Sequence, residues 1–375
     1  MKFLQLFLAF FLILFVNQTL NAQTKHVFNP ANARDGELVE YCHTHLKMNE
    51  LLQNPDYAKV KAEDDAIFNA ALKKGGTQKA TIYKIPVVFH VLHINGVENI
   101  SEEQIFNAVA ILNRDFRKQN ADTASVHPDF QGMPADVEIE FVLATKAPNG
   151  TCFKGITRTN SDLSYDGSSG SAQVTAIKDG NDVYIGNWPG NKYLNIFVCG
   201  EIGGASGYTY NPSAFSATSM NNGIWVLDNY VGSIGTGSVV GSRTLTHEVG
   251  HWLNLSHTWG SNNNPGTTSS CSTDDGVTDT PNCIGVTFCS LNSNTCNSDN
   301  AYWGFDIRDN VENYMDYSSC SKMFTSGQVA RMRTAIQQTN TGRANLWSTA
   351  NITATGATGI LSLCKAQFTA DKTSI

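Results

Sequence analysis

The sequence predicts an α/β (α+β) fold, with helices packed on a twisted mixed sheet and a loop-rich part following them. Three observations lead there. Apolar runs of strand length alternate with amphipathic helical stretches between residues 81 and 257. One helix, expected to be long and to follow Gly241 and Ser242, carries the run His247-Glu-Val-Gly-His-Trp-Leu-Asn-Leu-Ser-His257. Five of the nine cysteines fall between Cys271 and Cys320, which marks a segment held by disulfides and loops.

The chain opens with Lys2, an apolar run from Phe3 to Val16, and Ala22. That is the shape of an export signal, so residues 1–22 read as a signal peptide, with a retained N-terminal anchor as the alternative. The run is short for a membrane span, and no other stretch is apolar enough to cross a bilayer. Residues 23–80 read as a separate, partly helical segment, with helical patterning from Glu37 to Leu52 and from Ala58 to Leu72. The basic stretch Lys73 to Lys79 closes it and is a candidate proteolytic site.

Ile82 to Leu92 is the first strand of the main domain, which spans residues 81–347. Ser101 to Gln119 is a helix. Ser101 caps it, Glu102 and Glu103 stand in its first turn, and Ile105, Val109, Ile111, Leu112 and Phe116 line one side. Strands follow at Val137–Ala144, Tyr193–Cys199 and Gly223–Leu227, with Val183–Ile185 a weaker candidate. The domain divides at about residue 257 into an N-terminal part and a loop-rich C-terminal part, 258–347. Thr325 or Ser326 caps a last helix, Val329 to Gln338. Asn340 to Ile360 is rich in Thr, Ala, Gly and Asn and reads as a linker, with the main domain ending at 347 and the linker proper at 348–363. Residues 364–375 resemble the opening of a PKD-type, immunoglobulin-like module.

With 375 residues, 41% hydrophobic, the chain can bury a sizeable core. Its net charge is −7 with no concentrated basic patch, which argues against nucleic acid as a partner. Export fits the cysteine usage, and the expected location is extracellular.

His247 and His251 are four residues apart, so on a helix their rings share one face and their nitrogens can converge on one ion. Glu248 stands beside the first of them as a general base for water. His257 lies beyond the reach of the same helix. The chain must turn before it, and Asn254 is placed to make that turn. This is the zincin motif in its extended, metzincin form, H-E-x-x-H-x-x-G-x-x-H, with Asn254 in the glycine position. Three neutral imidazoles leave Zn2+ its charge and one open coordination position.

Other residues are weighed against ordinary roles. His90 and His93 lie on or just past a strand and read as structural. Cys42 stands alone in the 23–80 segment, as either a capping thiolate for zinc or a free thiol. The block Cys271-Ser-Thr-Asp-Asp-Gly-Val-Thr-Asp-Thr-Pro281 has the oxygen-rich turn that calcium takes, or is a solvated turn. Met315 lies in Asn313-Tyr-Met-Asp-Tyr317, well downstream of the histidines, and Tyr317 could donate to a developing oxyanion.

Together HEVGHWLNLSHTWG, CSTDDGVTDTP and NYMDYSSCSKMFTSGQVARM resemble the pappalysin family of metzincins. The resemblance covers roughly residues 80–347 and weakens toward Cys42 and the LLQNPDY stretch. It implies a secreted zinc endopeptidase made as a zymogen, with a metzincin-type catalytic domain and its own propeptide, 23–80, as intramolecular inhibitor. It implies zinc on His247, His251 and His257, Glu248 activating the catalytic water, Met315 beneath the site and Tyr317 as transition-state donor. Cys42 matches the cysteine that caps zinc in the latent form. Asp275, the Val277 carbonyl and Thr280 match a Ca2+ site. Cys271–Cys296 and Cys289–Cys320 are the family-like disulfides, and Cys152, Cys199, Cys283 and Cys364 stay unassigned. Substrates would be proteins or peptides, and relatives imply cleavage beside basic residues. The rival readings are a zinc-binding but inactive surface adhesin, a zinc hydrolase of small amides, and a carbohydrate-binding or attachment protein.

Overall fold

The computed structural model describes residues 40–75, 81–165, 170–297 and 302–358. The expected signal peptide, the last residues of the basic stretch and the 364–375 module lie outside them.

In chain order the described elements begin with strand β1 (Glu40–Cys42) and helices α1 (Thr44–Leu52) and α2 (Pro55–Lys73). Asn54 caps α2 by accepting from the Asp56 N–H, and Pro55 sits where a helix needs no donor. Strand β2 (Tyr83–His93) leads to helix α3 (Glu102–Phe116), which Ser101 caps by accepting from the Gln104 N–H. Strands β3 (Ile139–Leu143) and β4 (Ile156–Asn160), helix α4 (Gly170–Gly180) and strands β5 (Leu194–Cys199), β6 (Ala205–Thr209) and β7 (Ile224–Leu227) follow. Helix α5 (Thr244–Trp252) carries the histidine motif, and α6 (Ser326–Ile336), α7 (Arg343–Leu346) and α8 (Thr349–Thr355) end the described chain.

The strands form one mixed sheet in the order β1-β6-β7-β5-β2-β3, with β4 also paired to β2. Strand β2 is long enough to hold β3 along Tyr83–Val87 and β4 along Phe89–His93. Its other edge pairs with β5. All pairings are parallel except β6 with β7. The fully buried run of β2, Ile85 and Val87 to Leu92, matches a strand covered on both faces. His90 lies in this run and is bonded to Thr157 Oγ1 at 2.8 Å and Asn195 Oδ1 at 3.0 Å, which is a structural role.

Four local expectations change. The 37–52 stretch is not helical throughout: Glu40–Cys42 is β1, which pairs in parallel with β6 before α1 begins at Thr44. Backbone pairing with a sheet edge there outweighs local helical pattern. Val183–Ile185 is not a strand; its backbone is tied instead to the Asn181 side chain, which accepts from the Val183 and Tyr184 N–H groups. The motif helix α5 has nine residues and is shorter than expected, because the chain turns at once to bring up the next histidine. The expected linker contains α7 and α8. The Thr355 carbonyl accepts from the Thr145 and Lys146 N–H groups, so this polar stretch closes backbone bonds at the end of β3.

Truncation after Trp347 should therefore lower stability. Two backbone donors lose their acceptor and Ala357 leaves the interior, for an expected loss of about 2–4 kcal/mol. Thermal unfolding of the shortened chain against the full chain reads this, and an unchanged midpoint would refute it.

Candidate active site

Every residue of α5 is buried. His247 and His251 share its inner face, with their Nε2 atoms 3.0 Å apart. After Trp252 the helix stops because Asn254 adopts a left-handed conformation, φ 71°, and its N–H donates to the His251 carbonyl. Asn tolerates that conformation better than other residues with a Cβ, so the glycine position of the motif is served without glycine. The turn delivers His257, whose Nε2 lies 3.1 Å from that of His251.

Each ring is fixed by a backbone carbonyl. His247 Nδ1 bonds to the Tyr314 carbonyl, His251 Nδ1 to that of Leu255 and His257 Nδ1 to that of Asn262, at 2.7, 2.8 and 2.7 Å. A carbonyl only accepts, so each Nδ1 carries the proton and each Nε2 presents a lone pair. Burial pushes the His251 imidazole down to about 4 and holds His247 and His257 well below the usual range, so all three are neutral. Lone pairs that lie 3.0 and 3.1 Å from the lone pair of His251 cannot bond it. They fit a cation of the zinc type.

Cys42 Sγ completes the cluster: its ligand atom and those of the three histidines all lie within 4.8 Å of one another. Three imidazole nitrogens and one sulfur are a donor set that suits zinc.

Glu248 is wholly buried beside this cluster. Its Oε2 accepts from Thr44 Oγ1 at 3.0 Å, while Oε1 is buried without a hydrogen-bond partner among the described residues. Burial pushes its carboxyl up to about 8, against the lowering influence of Cys42 and Thr44. Tyr317 packs edge-on to His257 at 4.7 Å and Trp259 at 4.8 Å, and its hydroxyl donates to the Cys42 carbonyl at 3.3 Å. Met315 lies directly under α5: a Cβ on Gly250 would fall 2.4 Å from its Sδ. The turn bearing it also supplies the Tyr314 carbonyl that holds His247.

The chain belongs to a known group of proteins by direct comparison. The sequence pattern of the M43 peptidase family, described as pregnancy-associated plasma protein-A, matches residues 178–337. An extracellular metalloprotease of Neurospora crassa is 30% identical over 270 residues, 68% of this chain and 75% of that protein. Promirolysin of Tannerella forsythia superposes with a TM-score of 0.68 at 30% identity, over 83% of this chain and 98% of that one. Mature mirolysin of the same organism, in complex with a cleaved peptide, gives 0.62 at 34% identity, over 73% and 98%.

This chain is a member of the M43, or pappalysin, family of metzincins. It is a zinc metalloprotease, and it is extracellular. No helix among the described residues is long and apolar enough to cross a membrane.

Elsewhere in this M43 domain, Cys271–Cys296 and Cys289–Cys320 are disulfides, each with Cα atoms 5.4 Å apart. Cys152 is disulfide-bonded too, while Cys199 and Cys283 are buried free thiols. Cys364 lies outside the described residues. Asp275, Val277 and Thr280 do meet: Thr280 Oγ1 lies 2.9 Å from the Asp275 carboxylate and 2.7 Å from the Val277 carbonyl. Asp279 is engaged otherwise, accepting from Thr325 Oγ1 and the Gly327 N–H at the start of α6.

Sequence reasoning missed the neighbours of Cys42. Tyr41, Thr44 and His45 are buried against the cluster, with the His45 ring 4.8 Å from His257. Asn263 Nδ2 donates to the Cys42 carbonyl across the cleft. The only signal was adjacency to Cys42, since a strand of three residues has no period to read.

Replacing Asn254 tests the turn. Asn254→Gly should change stability by a few tenths of a kcal/mol, whereas Asn254→Val, strained at positive φ, should cost about 1–2 kcal/mol and weaken metal retention. Unfolding midpoints and metal content after dialysis measure both, and equal behaviour of the two variants would argue against the reading.

Proposed function

We propose that His247, His251 and His257 hold the catalytic zinc, that Glu248 is the general base and acid of peptide-bond hydrolysis, and that Cys42 makes the chain latent. The observation that carries this is the set of three neutral imidazoles whose lone pairs converge beside a buried carboxylate.

Zinc, when bound, supplies a Lewis acid that polarises a carbonyl and acidifies water. The residues do the rest. The three neutral rings leave the ion its full charge. Glu248 takes a proton from the attacking water and passes it to the leaving amine. Tyr317 donates to the carbonyl oxygen as charge develops there. Its bond to a peptide carbonyl, that of Cys42, supports this role.

Latency follows from the N-terminal segment. Strand β1 lies along the β6 edge and runs parallel to it. Cys42 adds a thiol to the ligand cluster, and Thr44 holds Glu248 while accepting from the Thr209 N–H of β6. We therefore read residues 23–80 as the propeptide, and activation as its removal. The oxygen cluster of Asp275, Val277 and Thr280 is proposed as a structural calcium site, for which the meeting of three oxygen donors is the support.

Glu248→Ala should leave a folded, zinc-binding chain that cuts casein at least about 10³-fold more slowly. Zinc stoichiometry and a casein assay decide it, and full activity would sink the proposal. Cys42→Ala should shorten the lag before self-processing, and Thr44→Val should shorten it less; an unchanged lag in both would remove the latency reading. Calcium added to the chelated chain should raise its unfolding midpoint, and Asp275→Ala should abolish that rise. A rise unaffected by the substitution would place calcium elsewhere.

A further inference from the structure

We infer that Gln328 and Arg331, three residues apart on α6, are positioning residues of the metal site: they hold the two turns whose carbonyls aim His247 and His251. The inference rests on the reading that His247, His251 and His257 hold the zinc.

A peptide unit is planar, so fixing its N–H also fixes the direction of its carbonyl. The carbonyl that holds His247 Nδ1 is that of Tyr314, and the N–H of the same peptide unit belongs to Met315. That N–H donates to Asn313 Oδ1 at 2.9 Å. Asn313 and Gln328 are both fully buried and meet amide to amide. Gln328 Nε2 donates to Asn313 Oδ1, and Asn313 Nδ2 donates to Gln328 Oε1, each at 2.9 Å. Gln328 Oε1 also accepts from the Thr325 N–H at 3.0 Å, in the capping box that starts α6. The Met315 and Thr325 N–H groups thus settle which end of each amide is oxygen. Turning either amide over would bring nitrogen against nitrogen. The aim of His247 is therefore set from α6, through Asn313 and one peptide plane.

Arg331 treats the second turn in the same way. Its Nε donates to the Asn254 carbonyl at 2.7 Å. The N–H of that peptide unit is Leu255's, and it donates to the Gly250 carbonyl at 3.0 Å. One end of the plane is tied to α6 and the other to α5. The next carbonyl along, that of Leu255, accepts from His251 Nδ1. His257 follows three residues after Asn254, so the same turn delivers it. Asn254 is buried, and a charged donor makes the stronger bond to a carbonyl in such a place. Packing alone would ask only for apolar side chains at these two positions of α6. A buried amide and a guanidinium both lose water there, and both direct their polar atoms at active-site turns.

The test uses the full chain carrying Glu248→Ala and Cys42→Ala, which lacks the general base for self-processing and leaves the imidazoles to hold the ion. Zinc affinity is measured by competition with a chelator, and the d–d absorption of the Co2+-loaded chain reports ligand geometry. Arg331→Met and Gln328→Met should each weaken zinc about tenfold and shift the cobalt bands. Ile336→Val, in the same helix and making neither hydrogen bond, should lower the unfolding midpoint and leave both metal readouts unchanged. Arg331→Met with the parent's affinity and spectrum would overturn the inference, and so would an equal weakening by Ile336→Val, since general loosening would then suffice. If Gln328→Met does not fold, Arg331→Met decides alone. A parent that binds no zinc, or binds it equally well after His251→Ala, would instead overturn the ligand reading, and this inference with it.

Discussion

Three hydrogen bonds govern this molecule: those from the Nδ1 atoms of His247, His251 and His257 to the carbonyls of Tyr314, Leu255 and Asn262. They settle which nitrogen of each ring carries the proton, and so turn three lone pairs toward one point. Each carbonyl comes from a different turn, and each turn has its own reason to be where it is. Asn254 in the left-handed region brings Leu255 back under His251. The turn at Met315 packs against the bare Cα of Gly250 and so sets the height of the Tyr314 carbonyl. Asn262 presents its carbonyl from the loop after Trp259, whose ring stacks on His257 at 4.4 Å. A change in any of these turns would move an imidazole without touching it.

The N-terminal segment treats the cleft as an extended peptide would. It pairs with a sheet edge, buries an aromatic side chain beside the cluster, offers a carbonyl to Tyr317 and places a hydroxyl on Glu248. Its pairing is parallel to β6, and a thiol stands beside the three imidazoles. Further along, the segment is tied to the same active-site turn. Arg331 of α6 donates to the Asn254 carbonyl at 2.7 Å and lies over the Phe68 ring of α2 at 4.9 Å. Docking of α2 and the shape of the histidine turn thus share one guanidinium.

The loop-rich part after His257 is built on different terms. Between His257 and α6, two disulfides and buried carboxylates with backbone or hydroxyl donors stand in for α-helices and strands. Asp309, for example, accepts from Ser293 Oγ, the Thr295 N–H and Thr295 Oγ1. Asp316 accepts from Thr258 Oγ1 and from the N–H groups of Val286 and Ser318, and burial lifts its carboxyl to about 8. Such carboxylates organise loops by serving several backbone donors at once, which a small apolar core could not do.

Cys42, Met315 and Tyr317 were singled out by the family resemblance, whereas the residue pattern by itself determined the helix-on-sheet class, the N-terminal caps of α3 and α6, and the shared helix face of His247 and His251 beside Glu248. These were legible because each is a local rule: a period of 3.6 or 2, a capping side chain, a spacing that puts two rings on one helix face. Only the tertiary structure decided the rest. Strands β1, β4 and β6 are short, and β4 (Ile-Thr-Arg-Thr-Asn) and β6 (Ala-Ser-Gly-Tyr-Thr) carry few apolar residues, so each exists because a neighbouring edge offers backbone partners. The Thr- and Ala-rich end reads as linker until Thr145 and Lys146 are seen to need its Thr355 carbonyl. Tyr41 looked like a helix position and became a strand residue, and Thr44, the first residue of α1, reaches the cleft because parallel pairing of β1 with β6 sets the start of that helix there. Contacts between residues some 165 to 204 positions apart leave no periodic trace in sequence, and the burial that defines this site is made of such contacts.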